Sequence, residues 1–197
     1  MRVIAGKFRS RQLKSLKGMA LRPTSDRLRE TLFNVLADGV AGSSFVDVFA
    51  GTGAVGIEAL SRGAREVVFI EKHGPAATLI RKNLESLDVH DDAQVMAVDA
   101  VHGLEVLRKN TSADKLAPDL VFVDPPYGNV EDYDRVLTCL GFEGLLHDGS
   151  LVIVEHRRNF ELPENVGNLQ RVRVLRQSDA VLSFYRFTKN SRVDGGS

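Results

Sequence analysis

The feature that most constrains this chain is the tetrapeptide Asp124-Pro125-Pro126-Tyr127, which follows the apolar run Leu120-Val121-Phe122-Val123. Four consecutive apolar residues, two of them β-branched and one aromatic, predict a buried strand. Proline has no amide hydrogen to donate to a neighbouring strand, so the pairing stops where the prolines begin. A carboxylate, a rigid bend and an aromatic ring are therefore predicted at the carboxyl end of a central strand. In open α/β sheets, that edge is where ligands bind.

Apolar runs that predict strands alternate with helical patterns along most of the sequence. Five core strands are predicted at residues 45–49, 66–70, 94–98, 120–123 and 151–155. Two closing strands, joined by a tight turn, are predicted at residues 171–176 and 181–187. Alternation of strands and helices is typical of a parallel sheet with helices on both faces. The expected fold class is therefore α/β.

The charge of the chain is unevenly distributed. The formal net charge is zero, yet residues 1–22 hold seven Lys and Arg residues and no Asp or Glu. A basic end on an acidic body suggests the docking of a nucleic acid, and the alternative is a solubilising tail. We predict a short β-hairpin at 1–16 and nucleic-acid contacts from the cationic residues Arg2, Lys7, Arg9, Arg11 and Arg22. Arg27 and Arg29 on the following helix are further candidates for phosphate contact.

The chain length suits one domain with a small appendage. We divide it into an N-terminal basic extension at 1–22, a main domain at 23–187 and a flexible tail at 188–197. The single cysteine, Cys139, excludes a disulfide framework, and the five histidines lack ligand spacing, so no metal site is expected. No segment has the features of a signal peptide or the length of a membrane span. We therefore expect a cytoplasmic protein that does not bind membranes. We also expect a monomer, because no obvious spare apolar helix is present in the sequence.

Three glycines, Gly51, Gly53 and Gly56, stand between the first predicted strand and the next helix. Glycine permits a tight turn and lets a ligand approach the backbone, while amides at the start of a helix favour an anion. Glu71 lies twenty residues after Gly51, at the end of the second strand, where a carboxylate accepts hydrogen bonds from ribose hydroxyls. The pattern predicts an adenosine-containing cofactor without deciding between a dinucleotide and S-adenosylmethionine.

Three further residues in or just after the predicted strands have two possible roles each. Asp99 follows the third strand, where the acid and the neighbouring backbone of Ala100 suit the adenine amino group, or where Asp99 caps the next helix. Asp47 is unusual inside a strand; it either bonds the amides of the glycine turn or reaches the amino group of the cofactor. Phe49 packs near the cofactor or belongs to the core.

The tetrapeptide resembles the mark of the amino-methyltransferases, which is an acid or amide followed by Pro-Pro and an aromatic residue. The order of the motifs matches too, with a glycine turn, an acid after each of the next two strands, and then the tetrapeptide. Further segments make the sequence similar to the RsmD family over residues 1–187: Arg22-Pro23-Thr24, Glu30-Thr31-Leu32-Phe33-Asn34-Val35-Leu36, Phe49-Ala50-Gly51-Thr52-Gly53 and Glu58-Ala59-Leu60-Ser61-Arg62-Gly63-Ala64. Members of that family are bacterial enzymes that methylate the exocyclic N2 of a guanine in 16S ribosomal RNA.

The resemblance implies a Rossmann-like class I S-adenosylmethionine-dependent methyltransferase fold, with a mostly parallel seven-stranded sheet whose last strand is antiparallel. It also implies S-adenosylmethionine as the cofactor and 16S ribosomal RNA, within a small-subunit assembly intermediate, as the partner. Cofactor contacts are then expected from residues at the carboxyl ends of the first three strands, namely Asp47, Phe49, Gly51, Gly53, Glu71, Asp99 and Ala100.

The resemblance assigns roles to the tetrapeptide that suit the chemistry of a guanine amine. The Asp124 carboxylate and the Pro125 carbonyl would hold the two N–H groups and aim the nitrogen lone pair at the methyl group. The carboxylate would also stabilise the positive charge that develops on nitrogen. Pro126 completes the rigid bend, and Tyr127 would stack on a base that has left its helix.

Three other functions remain open on the sequence alone. An adenine-N6 methyltransferase acting on DNA or RNA shares the tetrapeptide. A dehydrogenase shares the glycine turn, but it leaves the tetrapeptide without a role. A non-catalytic RNA-binding module would keep the fold, but it has no need for acids at three strand ends.

Overall fold

The computed structural model describes residues 1–15, 25–111, 117–126, 128–142 and 144–189. Eight strands lie in these ranges: β1 (Ser44–Val48), β2 (Glu66–Ile70), β3 (Ala93–Met96), β4 (Leu120–Val123), β5 (Leu151–Arg157), β6 (Asn165–Val166), β7 (Leu169–Gln177) and β8 (Ala180–Phe187). The helices are α1 (Asp26–Leu36), the 3-10 helix Ala37–Gly39, α2 (Ala54–Ser61), α3 (Gly74–Ser86), α4 (Ala100–Asn110) and α5 (Val130–Gly141).

The strands form one sheet in the order β3-β2-β1-β4-β5-β8-β7-β6. Strands β1 to β5 run parallel, and β8 is antiparallel to β5. The predicted α/β class and the antiparallel last strand are confirmed. The predicted number of strands is wrong by one among the described residues, because β6 adds a two-residue strand at the edge beside β7. Two residues are too few to show an apolar pattern.

Helices cover both faces of the sheet, and consecutive residues of a strand face opposite cores. On one face, Phe45 of β1 packs in a cluster with Phe33 of α1 and Ile57 of α2. On the other face, Val46 and Val48 lie in a cluster with residues of α4 and α5. All five residues of β1 are buried, which explains why the sequence shows a nearly continuous apolar run there.

Helix α1 begins where the Ser25 hydroxyl accepts a hydrogen bond of 3.1 Å from the Leu28 amide. On the same helix, Arg29 is completely buried, so the prediction that it contacts phosphate is wrong. Its guanidinium donates to Asp26 at 3.0 Å and lies 3.7 Å from the Glu58 carboxylate. Burial lowers the pKa of Arg29, whereas the two carboxylates oppose that shift. Arg29, which the sequence analysis placed among the candidates for phosphate contact, thus belongs to an internal ion pair.

Residues 1–15, called the basic segment from here on, form two antiparallel arms with one bridge between Arg2 and Gln12. The arms exchange few backbone hydrogen bonds, including Val3 N to Arg11 O at 3.0 Å. The segment lies directly on α2, since a Cβ at Gly6 would come within 1.8 Å of the Ser61 carbonyl oxygen. Residues 16–24, including Arg22, and residues 190–197 of the predicted tail lie outside the described ranges.

Candidate active site

The glycine turn (residues 49–53) leaves the carboxyl end of β1 and enters α2. Phe49, Gly51 and Gly53 all have positive φ, of 62°, 55° and 77°. This backbone favours glycine and is uncommon for phenylalanine. The turn is tied to the next strand by the Ala50 amide, which donates to the Ile70 carbonyl at 3.1 Å. The tight turn predicted between the first strand and the helix is confirmed.

Helix α2 approaches β2 closely at Gly56. A Cβ at this position would lie 2.3 Å from Cε1 of Phe69 and 2.9 Å from Cγ1 of Val67. Glycine at 56 therefore sets the distance between the helix and the sheet, as it does in nucleotide-binding turns. The amino end of α2 is held against the strands that carry the other site residues.

The Glu71 carboxylate links the glycine turn to the segment that follows β2. Its two oxygens accept hydrogen bonds from the Gly51 amide at 2.8 Å and from the His73 amide at 2.7 Å. Glu71 is 9% exposed. Each carboxylate oxygen has a further lone pair beyond the one used here. The structure therefore brings Glu71 and Gly51 together, as their spacing predicts, and the contact with ribose hydroxyls stays a prediction.

Asp47 lies beneath the turn and is 2% exposed. Its carboxyl group accepts a hydrogen bond of 2.9 Å from the Gly56 amide. Burial raises the pKa of Asp47 to about 8; the charge of Glu71 adds to the rise, and the Gly56 hydrogen bond opposes it. Of the two predicted roles, the hydrogen bond to an amide of the glycine-rich region is confirmed. Contact with the cofactor stays a prediction.

Asp99 caps α4, because its carboxylate accepts a hydrogen bond of 3.1 Å from the Val101 amide. The same oxygen lies 3.6 Å from the Arg135 guanidinium of α5. Ala100, the first residue of α4, is buried. The capping role predicted for Asp99 is confirmed, and adenine recognition by Asp99 and Ala100 stays a prediction.

Asp124 lies directly beside the glycine turn. Val48 and Val123 are opposite each other in the pairing of β1 with β4, and the Asp124 amide donates to the Val48 carbonyl at 3.3 Å. Pro125 is buried and Pro126 is exposed. Tyr127 lies outside the described residues. One edge of the sheet thus carries the turn after β1, Glu71 after β2 and Asp124 after β4.

Residues 1–186 match a protein family described as Conserved hypothetical protein 95. Ribosomal RNA small subunit methyltransferase D of Escherichia coli (strain K12) is 38% identical over 166 residues, which cover 83% of this chain and 78% of that relative. The chain belongs to the RsmD family. Membership was predicted from the motifs and is confirmed.

Two solved structures share the fold of this chain. The structure of the Escherichia coli protein yhhF matches with a TM-score of 0.81 and 30% identity, covering 96% of this chain and 98% of that chain. SMU.776, solved in complex with S-adenosylhomocysteine, matches with a TM-score of 0.62 and 16% identity, covering 81% of this chain and 48% of that chain. The second likeness shows the fold alone.

In this RsmD-family chain, four of the five predicted RNA contacts lie on the basic segment. Arg2, Lys7, Arg9 and Arg11 are exposed. The Lys7 ammonium lies 4.8 Å from the centre of the Phe8 ring. Arg11 already donates to the Ser86 carbonyl of α3 at 2.7 Å. The four cations are thus presented on one segment, and their contact with RNA stays a prediction.

Glu58 is a buried residue whose role the sequence analysis missed. It is completely buried on α2, and its two carboxylate oxygens accept hydrogen bonds from the amides of Ile4 at 2.8 Å and Ala5 at 3.0 Å. Arg62 donates to it at 2.9 Å. The signal for its role in the sequence was a single acid in the otherwise apolar run of α2. A charged residue in such a run is buried, and buried charges occur where they are paired.

Two absences concern the described ranges only. No helix there is both long enough and apolar enough to cross a bilayer. Likewise, within those ranges no three His, Cys, Asp or Glu side chains are grouped in a way that suits a metal ion.

Proposed function

We propose that this chain transfers the methyl group of S-adenosylmethionine to the exocyclic N2 amine of a guanine in 16S ribosomal RNA, with S-adenosylhomocysteine and one proton, lost from the methylated nitrogen, as the other products. The observation that carries the proposal is the placement of Asp124 beside the glycine turn, joined through the Val48 carbonyl at 3.3 Å. Methyl transfer needs an amine-orienting group next to a cofactor site, and these two strand ends are neighbours. The name of the Escherichia coli relative and its 38% identity support ribosomal RNA of the small subunit as the substrate.

The residues of the turn fit the proposed cofactor. A Cβ at Gly51 would meet only the Phe49 carbonyl oxygen, at 3.9 Å, so the space over the turn is open. Glu71 borders that space and suits ribose hydroxyls, while Asp99 and Ala100 suit adenine. The amides of the turn at the start of α2 suit the carboxylate of the methionine part. When bound, S-adenosylmethionine supplies an electrophilic methyl group.

Asp124 and Pro125 orient the amine. The lone pair of a guanine amine is delocalised into the ring, which makes the nitrogen a weak nucleophile. Two hydrogen bonds, from its N–H groups to the Asp124 carboxylate and to the Pro125 carbonyl, favour a pyramidal nitrogen and fix the direction of its lone pair. The negative charge of Asp124 stabilises the positive charge that develops on that nitrogen. Tyr127 is proposed to stack on the extruded base.

The partner is proposed to be 16S ribosomal RNA in a small-subunit assembly intermediate, which places the protein in the cytoplasm. The exposed cations of the basic segment would contact phosphates, with binding that weakens as salt rises. The proposed acting form is a monomer.

Identification of the methylated nucleoside tests the proposal. Small subunits reconstituted from RNA transcribed in vitro are incubated with the protein and radiolabelled S-adenosylmethionine, and the RNA is then digested to nucleosides. We expect the label in N2-methylguanosine. Label in N6-methyladenosine would establish the adenine alternative, and RNA binding without any incorporation would establish a non-catalytic module. Tighter binding of NADH than of S-adenosylmethionine would point to a dehydrogenase.

A further inference from the structure

The basic segment is attached to the rest of the protein by buried polar side chains rather than by a strand ladder. Glu58 of α2 accepts hydrogen bonds from the amides of Ile4 and Ala5. The Ser61 hydroxyl of the same helix accepts a hydrogen bond of 2.9 Å from the Phe8 amide. These contacts hold one arm of the segment against α2. The other arm is held by α3.

Asn83 of α3 makes the second attachment and is completely buried. Its side-chain oxygen accepts a hydrogen bond of 2.9 Å from the Lys14 amide. Its side-chain nitrogen donates to the Lys14 carbonyl at 3.2 Å and to the Thr52 carbonyl at 3.3 Å. Thr52 lies in the glycine turn between Gly51 and Gly53. One amide therefore joins the basic segment directly to the turn.

Only an amide side chain satisfies all three partners at this position. It offers two donor hydrogens and an acceptor oxygen, whereas a carboxylate offers no donor and a hydroxyl offers one. The contact of the Met1 sulfur with the Thr52 hydroxyl, at 3.9 Å, adds a second link from the basic segment to the same residue of the turn. The position of the Thr52 carbonyl and the position of Lys14 are thus fixed by the same buried group.

We propose that Asn83 is a positioning residue that couples cofactor binding at the glycine turn to RNA binding by the basic segment. The inference rests on the proposed function, since it takes the turn as the cofactor site and the segment as an RNA contact. A cofactor that binds the amides of the turn favours the backbone arrangement in which the Thr52 carbonyl meets Asn83. That arrangement also favours the docked position of Lys14. The bound cofactor therefore raises the affinity of the protein for RNA. By thermodynamic linkage, bound RNA raises the affinity for the cofactor by the same factor.

The coupling is measured as a ratio of two dissociation constants of the protein for reconstituted, unmodified small subunits. The constant determined without S-adenosylhomocysteine is divided by the constant determined with saturating S-adenosylhomocysteine. We expect a ratio of at least about fivefold for the wild-type protein, at the lower end of usual coupling strengths. In Asn83→Ser the side chain is too short to reach both partners, and the ratio should fall to about one. A merely structural role would weaken binding in both conditions and leave the ratio unchanged.

A second pair of variants tests the same link without altering the core. Lys14→Pro removes the amide hydrogen that Asn83 receives, whereas Lys14→Ala removes the charge and keeps that hydrogen. We expect the ratio to fall in Lys14→Pro, in which Asn83 keeps only its hydrogen bond to the Lys14 carbonyl on this side, and to keep its wild-type value in Lys14→Ala. This pair decides the matter if Asn83→Ser does not fold, as judged by thermal unfolding.

Two results would overturn the coupling: a wild-type ratio of one, or a wild-type ratio retained in folded Asn83→Ser or in Lys14→Pro. The proposed function fails separately, if the wild-type protein forms no N2-methylguanosine on the same particles. Formation of that product together with an unaltered ratio in the variants would leave the function in place and remove the role of Asn83.

Discussion

The Gly56 amide donates a hydrogen bond of 2.9 Å to the buried carboxyl group of Asp47. Burial raises the pKa of this carboxyl to about 8, whereas an aspartate in an unfolded chain titrates near ~3.9. Between these two values the folded protein holds a proton that the unfolded chain has released. The free energy of unfolding therefore falls as the pH rises through this range, with a slope of at most about 1.4 kcal/mol per pH unit.

Asp47→Asn should remove this dependence on pH. The asparagine oxygen still accepts from Gly56, and the side chain does not titrate. Urea unfolding at several pH values between 5 and 8 measures the effect, and we expect the stability of the variant, relative to wild type, to increase with pH. An identical slope in the two proteins would contradict the assignment. If the variant also keeps its affinity for S-adenosylhomocysteine, Asp47 acts on the turn and does not bind the cofactor.

Gly56→Ala should destabilise the protein, because the added Cβ would lie 2.3 Å from the Phe69 ring. Overpacking of this kind costs about 1–3 kcal/mol of unfolding free energy. Gly39→Ala is the matched control, since no residue other than the chain neighbours lies within 4 Å of a Cβ at that position at the end of the 3-10 helix. Chemical denaturation of both variants checks the expectation. Equal stability of the two would show that α2 moves away from the sheet without cost.

Glu71→Gln should weaken the binding of S-adenosylhomocysteine by about 10- to 100-fold, which is the loss expected for a hydrogen bond to a charged group. Each Glu71 oxygen accepts a hydrogen bond from a backbone amide. In the variant, an NH₂ group would replace one of these oxygens and would face the same amide donor. Glu66→Gln, at the opposite end of β2, alters an exposed ion pair with Arg65 and should have no effect. Calorimetry measures both. Wild-type affinity in Glu71→Gln would remove this residue from the cofactor site.

Asp124→Ala should lower the rate of methyl transfer by about 10²–10³-fold, as expected when one preorganised electrostatic partner is removed. Asp124→Asn keeps an acceptor oxygen and should retain more activity than the alanine variant. Single-turnover assays measure the chemical step, and the dissociation constant for S-adenosylhomocysteine serves as the control, because Asp124 is assigned to the amine. Full turnover in Asp124→Ala would end its proposed role.

Much of the candidate site was predictable because it lies at strand ends. An apolar run marks each parallel strand, and the first polar residue after the run lies at the ligand-binding edge of the sheet. Glu71 and Asp124 are found in this way from local patterns alone. The closeness of Glu71 to Gly51 also followed from the spacing of a known turn.

Contacts between distant parts of the chain were not predictable from local patterns. Asn83 reaches Lys14 across 69 residues, and no periodicity in α3 distinguishes it from an exposed asparagine. Arg29 was misassigned for the same reason, since its burial depends on Glu58 and on the basic segment. The sequence predicts which face of a helix is apolar, but it does not predict which polar residues a second segment will cover.

The pairing of β1 with β4, which places Val48 opposite Val123, has a consequence for how the chain tolerates change. Deletion of one residue from either strand would shift its end by about 3.3 Å and reverse which side chains face each core. Asp124 and the glycine turn, the two parts of the proposed methyl-transfer site, would then be out of register although every side chain of the proposed site was still present. The alignment of Asp124 with the glycine turn thus depends on the number of residues in two adjacent strands. Side-chain substitutions within these strands are the milder perturbation.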